Sequence, residues 1–415
     1  MTSATQAPRT GSTLWTANFR LYFGARTTSL LGDAMLPVAL SVGVLQAGYG
    51  ATGVGYALGS WMAALALCML FGGVLADRFT ARRMMILADL VRFVIQAGLA
   101  ALFALGTPSL VVIVTLQFLS GVATALFQPG VASMVPQVSN DIQRGNGVLR
   151  IAESMAGVLG PALAGVLVSM SGPSVVFALY SATYAISAVC LFALRLIPTS
   201  TVSGVSFLRQ LAEGWQEFRS RAWLWSVITI YLFYGCFVIG LSLPIAAELV
   251  TTELDSTALG VGMAALGLGG ALGGTLAIRV RCSRPLALGS IGWALFAVYP
   301  LVPTLHPSLV VLVVGWAVAG IGLAFWSVIW ATTVQTQIPS EMLNRVYAYD
   351  VAGSLVCMAL GRSLAGPLAS VTGARPLMVF ACVLGLICAA LLLVVPATRR
   401  LRNSALSNMA VRPVS

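Results

Sequence analysis

The chain repeats itself at an offset of 201 residues (57 to 258), which restricts the possible folds more than any other feature. Ala57–Arg83 and Ala258–Arg284 align without a gap and are identical at 14 of 27 positions. The same offset pairs Arg144 with Arg345, Gly160 with Gly361, Ala164 and Gly165 with Ala365 and Gly366, and Gly172 with Gly373. Composition bias would match Ala and Leu. It would not also hold glycine pairs and arginines in one register. Two copies of one unit, in the same orientation, is the simplest account. Parallel repeats of this kind build one class of secondary transporter, with the substrate site between the halves.

Each unit belongs in a membrane. The residues are 59% hydrophobic and 8% charged, against roughly 25% charged in soluble proteins. A run of about 20 apolar residues spans a bilayer as a helix. Twelve such runs are present, from about 19–46 to about 375–396, six in each half. The expected architecture is an all-α membrane protein of twelve transmembrane helices in two parallel six-helix repeats. Its parts are a first half over 1–196, a linker over 197–222, a second half over 223–397 and a tail over 398–415. In the linker, Phe207, Leu208, Leu211, Trp215 and Phe218 fall at roughly helical spacing. That reads as a short amphipathic helix on the inner surface, or as a plain connector. The tail reads as disordered.

Charge sets the orientation. All 23 basic residues are Arg, and most flank the spans on one side, with Arg375 an exception on the other. The positive-inside rule then puts both termini in the cytoplasm, in a bacterial inner membrane. This placement accounts for the net charge of +11 and argues against a nucleic-acid partner. Residues 1–17 lack the apolar core of a cleavable signal. The seven Cys are scattered without a CxxC pair and read as small apolar side chains, with no metal site expected. No phosphate-binding loop or nucleophile–base pair appears, so neither ATP-driven transport nor an enzyme is expected. No cofactor is expected; a proton gradient would supply the driving force. The single His, His306, lies in an outward loop, so protonic coupling would need carboxylates. The oligomeric state is read as a monomer.

Between spans 2 and 3 runs GVLADRFTARR, from Gly73 to Arg83. It resembles the signature of the major facilitator superfamily: a Gly, three residues, an acidic–basic pair and two further basic residues. The resemblance extends over essentially the whole chain and implies the major facilitator fold with alternating access. It implies a cytoplasmic gate in which Asp77 meets the N-terminus of span 11, helped by Arg78, Arg82 and Arg83, with Gly73 allowing close helix approach. The turn departs from the family, with Thr80-Ala81 where Gly is usual. The second copy keeps Gly274 and Arg279 but has Ile278 for the acid, so the gate should be asymmetric. In span 5, GVLGPALAG places Gly157, Gly160, Pro161 and Gly165. It resembles a shortened form of a span 5 motif of proton-driven exporters, which favours export over import; the alternative is ordinary tight packing against span 8. Ser29–Asp33, Ala88–Arg92 and Gln337–Pro339 ahead of Arg345 are similar to the branch that includes macrolide efflux proteins and the enterobactin exporter. Gln117, four residues before Gly121, stands where drug exporters usually carry Arg in span 4.

Ionisable residues inside spans are costly and so are functional candidates. Asp33, about 15 residues or roughly 22 Å into span 1, is the leading proton-coupling candidate; the alternative is an ion pair with an Arg from elsewhere, such as Arg26. Glu153, three residues after Arg150, reads as a local ion pair or an assisting proton site. Asp89 and Arg92 share that spacing near the inner end of span 3 and are expected with the gate, as is Asp350. Arg362 suggests a carboxylate partner or an anionic substrate. Gln96, Gln117, Tyr231, Tyr234 and Trp326, together with Tyr22, Phe237 and Trp330, lie on spans that line the cavity in this superfamily. An apolar, aromatic cavity suits an amphipathic neutral or cationic small molecule. The functional expectation is proton-coupled efflux of amphipathic drugs or natural products. Import of a small metabolite and export of a siderophore are the alternatives.

Overall fold

The computed structural model describes residues 14–78, 80–139, 141–196, 220–280, 283–338, 340–399 and 401. Side chains in 70–78, 81, 129, 132–133, 143 and 340–352 lie outside the described set. So do the expected linker helix and nearly all of the tail.

Twelve helices are long and apolar enough to cross a membrane. The first half contains α1 (Ala17–Gln46), α2 (Gly50–Arg78), α3 (Ala81–Leu105), α4 (Leu110–Val138), α5 (Ile142–Ser171) and α6 (Pro173–Ala193). The second contains α7 (Ala222–Glu253), α8 (Ser256–Arg279), α9 (Pro285–Leu305), α10 (Leu309–Gln337), α11 (Ser340–Thr372) and α12 (Ala374–Val394). Among the described residues there is no strand. Helices keep their own backbone groups satisfied, as lipid requires.

Local chemistry sets the boundaries. Thr16, Asp141 and Asp255 accept hydrogen bonds from the N–H groups of Phe19, Arg144 and Ala258, capping α1, α5 and α8. Pro173 and Pro285 open α6 and α9, where no N–H is needed. Gly172 (φ 78°) and Gly373 (φ 88°) make the same left-handed link, α5 to α6 and α11 to α12. They are a repeat pair, retained because an L side chain rarely adopts that backbone.

Equivalent helices pack in the same way in both halves. Gly121 of α4 lies against the Trp61 carbonyl of α2, while Gly269 and Gly273 of α8 lie against Ala317 and Ile321 of α10. Glycine lets these backbones approach closely. The periphery carries exposed Leu105, Met170, Phe192, Val310 and Val371, an apolar surface suited to lipid. Pro37 and Pro161 sit inside unbroken helices. In α7 the helix widens to a π-helix over Tyr234–Gly240, just before Pro244. Pro244 has no N–H to give the Gly240 carbonyl, and the Leu241 N–H reaches back to the Cys236 carbonyl.

The described contacts between halves concentrate toward the end opposite the termini. On one side, α2 meets α11: a side chain at Gly55 would strike the Arg362 carbonyl, and one at Gly366 would strike Thr52. On the other, α5 meets α8: a Cβ on Gly165 would lie 2.8 Å from the Gly260 Cα. At the same end Glu248 of α7 accepts the Ala51 N–H at 3.3 Å. The carboxylate of one half thus caps α2 of the other, at the positive end of its dipole. Arg375, the exception to the charge rule, pairs with Glu253. His306 (φ 50°) joins them, its Nδ1 3.3 Å from Glu253.

Candidate functional site

Asp33 lies on α1 with Gly32 before it. A Cβ on Gly32 would sit 2.5 Å from the Tyr180 ring, so the glycine lets α6 approach. Both tyrosines of that helix then reach the carboxylate. Tyr180 donates to Asp33 Oδ1 at 2.9 Å and Tyr184 at 2.5 Å, and the two hydroxyls are 2.7 Å apart. Arg92 of α3 completes the group, with Nη1 3.9 Å from Asp33 and 3.4 Å from the Tyr184 hydroxyl. Its Nη2 is bound to Asp89, whose other oxygen accepts from Ser187 at 2.6 Å. The Arg92 guanidinium is sandwiched between Phe127 and Tyr184, 4.5 and 4.2 Å from their ring centroids.

One cation therefore serves two carboxylates. Asp89 and Arg92 are buried, whereas Asp33 is 31% exposed. Asp33 alone of the three charges is accessible enough to exchange a proton directly. Burying charges is costly unless they are paired and hydrogen-bonded, and here Arg92 and Asp89 are.

Asp89 and Arg92 were expected with Arg78 and Arg83. Their described contacts lie inside the first half, with Asp33, Tyr184, Ser187 and Phe127. The reason is helical phase: residues three apart share a face, and this face of α3 points at α6. Arg82 donates through Nε to the Leu191 carbonyl at 2.9 Å and through Nη2 to that of Phe192, satisfying the end of α6. Arg83 is exposed. The side chains of Gly73, Asp77, Arg78 and Asp350 lie outside the described residues. Glu153 pairs with Arg150 at 2.8 Å, both exposed. Arg26 lies over Phe127 at 5.7 Å, away from an ion pair with Asp33.

The span 5 residues sit at helix crossings. A Cβ on Gly160 would lie 2.6 Å from Ala34 Cβ of α1. The Pro161 carbonyl and Gly165 abut Gly260, and the Gly157 carbonyl abuts Gly267.

The expected cavity residues divide. Tyr231, Trp326 and Trp330 line a cavity of about 220 Å³ in the second half, with Trp293, Ser327 and Ser354. Tyr234 lies behind it, buried and stacked on Trp293 at 4.2 Å, its hydroxyl bound to the Trp293 carbonyl. Gln96 and Gln117 are fully buried in the first half. Gln96 donates to Ser120 at 3.3 Å, while both amide atoms of Gln117 lack a partner. Tyr22 is buried and bonded to the Val131 carbonyl. Phe237 packs edge-on against Phe380. Arg362 has no carboxylate partner among the described residues, and its buried Nε is unsatisfied.

Sequence reasoning missed Tyr180, Tyr184, Ser187 and Glu248. The tyrosines stand four apart on one helix face, a signal that shared-face spacing provides. Nothing local distinguishes Glu248.

The comparisons agree with this architecture. The sequence model described as Major Facilitator Superfamily matches residues 22–253, more than half of the chain. The enterobactin exporter EntS of Citrobacter koseri is 25% identical over 360 residues, covering 84% of this chain and 85% of that protein. The Shigella flexneri EntS is 26% identical over 361 residues, covering 84% of each. Among solved structures, the nucleoside transporter NupG superposes with a TM-score of 0.71 at 15% identity, covering 91% of this chain and 98% of that one. A bacterial homologue of the human lysosomal transporter Spinster, inward-facing and unoccupied, superposes with a TM-score of 0.69 at 15% identity, covering 92% and 97%. These two share the fold. Family and fold point to transport of small molecules, and the twelve apolar helices and transporter relatives support a multi-pass inner-membrane protein. The chain belongs to the major facilitator superfamily.

Proposed function

We propose that this chain is a proton-coupled exporter of amphipathic drugs or natural products, working by alternating access with both termini in the cytoplasm. The observation that carries the reading is Asp33: a partly accessible carboxylate about halfway along a transmembrane helix, held by two tyrosine hydroxyls and beside Arg92. Ionisable groups at such depth mark ion pathways by default.

The chemistry follows from the geometry. Ionised Asp33 accepts both hydroxyls and part of the Arg92 charge. A proton on Asp33 cancels its hold on Arg92, which then belongs to Asp89 alone, and the two hydroxyl bonds to the now neutral carboxyl weaken. The contact between α1 and α6 is thereby loosened. This change biases the conformational equilibrium toward return, and the halves rock about the cleft between them. Glu153, already paired with Arg150, has at most an assisting role. On the terminal side Asp77, with Arg78, Arg83 and Asp350, forms the cytoplasmic gate, and Arg82 fixes the adjoining end of α6. The working unit is a monomer, and its driving force is the proton gradient.

Export of a siderophore is the second reading, favoured by the names of the EntS relatives.

The test is proton movement in everted vesicles carrying a respiratory pH gradient, with macrolides, dyes and siderophores added singly. Proton efflux triggered by a compound and abolished in Asp33→Asn is expected. Efflux that survives in Asp33→Asn moves the proton elsewhere. No response from folded protein to any compound removes the exporter reading.

A further inference from the structure

The cavity of the second half has walls more specific than an apolar pocket needs. Trp326 and Trp330 stand one turn apart on α10, their rings stacked at 13° with centroids 5.8 Å apart. Trp293 of α9 meets Trp326 at 4.6 Å and is fixed from behind by the Tyr234 stack. Tyr231 closes the α7 side, 6.1 Å from Trp293. These rings hold each other in place, so the surface is built before any ligand arrives. A cavity of about 150 Å³ already accepts benzene, and this one is about 220 Å³.

Two further facts narrow the occupant. No charged side chain lines the cavity among the described residues, so an anionic group would lose its water without gaining a counter-ion. The buried Trp293 Nε1–H also has no acceptor within the protein. Trp293 is 1% exposed. An orphaned buried donor is costly, and Trp293 forms part of the cavity wall. Of the wall hydroxyls, Ser327 donates to the Leu323 carbonyl at 2.8 Å and Tyr231 to the Met358 sulfur at 3.8 Å.

We infer that this cavity is a subsite for a flat, non-anionic aromatic group carrying a hydrogen-bond acceptor. The ring lies against Trp326 and Trp330, where offset or edge-on geometry favours an aromatic over a saturated ring. The acceptor takes the Trp293 N–H. The inference rests on the efflux reading only in that this group belongs to the exported molecule.

The test measures binding without a gradient, by saturation-transfer NMR on the full chain in lipid nanodiscs, with empty nanodiscs subtracted. The probes are N-ethylbenzamide, its ring-saturated counterpart N-ethylcyclohexanecarboxamide, and the anionic N-benzoylglycine. The wild type should bind N-ethylbenzamide at least about tenfold more tightly than either other probe, a difference of roughly 1.4 kcal/mol. In Trp326→Leu the preference over the saturated ring should fall below about twofold. Trp330→Leu, at a less buried position, gives the same readout if the first variant does not fold. Trp293→Phe should keep the ring preference and weaken N-ethylbenzamide about fivefold, the loss of one neutral hydrogen bond. Equal binding of the two neutral probes, tighter binding of the anion, no binding of any probe, or a preference that survives both Leu variants overturns the inference. Asp33→Asn should bind as wild type does. Loss of coupled proton movement with the ring preference intact therefore counts against coupling alone. Intact proton movement without the preference counts against the subsite alone.

Discussion

The interiors of the two halves differ at matching positions. At the repeat offset of 201, Asp33 corresponds to Tyr234 and Arg92 to Trp293 (33 + 201 = 234; 92 + 201 = 293). Both pairs touch. In the first half the contact is a carboxylate 3.9 Å from a guanidinium; in the second it is two rings stacked at 4.2 Å. Asp89 corresponds to Ser290, which keeps a local bond to the Ala287 carbonyl. One helical scaffold thus holds a charged network in one copy and an aromatic wall in the other. The lesson is that the repeat preserves crossings and turns, where glycine and helix ends decide, and frees the inward-facing side chains to diverge. Separating charge from wall also keeps the aromatic cavity free of fixed charge.

The comparison can be broken most severely at Asp33. Asp33→Asn should reduce compound-driven proton movement at least about tenfold while changing substrate binding less than about threefold, because the amide keeps the shape and loses the exchangeable charge. The matching substitution in the other half, Tyr234→Phe, removes only the bond to the Trp293 carbonyl and should leave coupling present. If both variants lose coupling equally, the division of labour is wrong.

Next in size is Arg92→Leu. It leaves Asp89 buried without its cation, a loss of about 3–5 kcal/mol for breaking a buried pair from one side. A clear fall in the thermal midpoint in detergent is expected. Double replacement, Asp89→Leu with Arg92→Leu, should recover much of it, since no charge is then stranded. Equal instability of the single and double variants would mean that packing of Arg92 on Phe127 and Tyr184 matters more than charge.

A smaller effect belongs to the seal between halves. Gly165→Leu places a side chain where α5 and α8 touch backbone to backbone. It should shift the population toward a state open at the end opposite the termini, read as raised thiol labelling of a cysteine placed at Thr52. Unchanged labelling would show that the α2–α11 crossing alone sets the seal.

The smallest expected change is Glu248→Gln, which removes a charge from the N-terminus of α2. A helix-end charge contributes about 0.3–1 kcal/mol, so the same labelling should rise only about two- to fivefold. A larger change would make Glu248 a principal latch between the halves.

Much was legible in the sequence because its causes are local or periodic. Twelve spans follow from apolar runs about as long as a bilayer is thick, and two parallel halves follow from the register of glycines and arginines. Gly172 and Gly373 mark turns because only a residue without a Cβ adopts their backbone freely. Asp33 was identifiable because a lone carboxylate in an apolar run is costly wherever it points. The tertiary structure alone decided what surrounds it. Its place in the chain puts Arg92 near the gate, yet the phase of α3 turns it toward α6 and Asp33. Tyr234 and Trp293 look alike as aromatic residues in spans, and only packing makes one a support and the other a wall. Glu248 is an unremarkable carboxylate until the halves meet and bring it to the N-terminus of α2. A chain of apolar residues specifies helices through local hydrogen bonding, but partners across helices depend on rotation and depth, which no short-range pattern encodes.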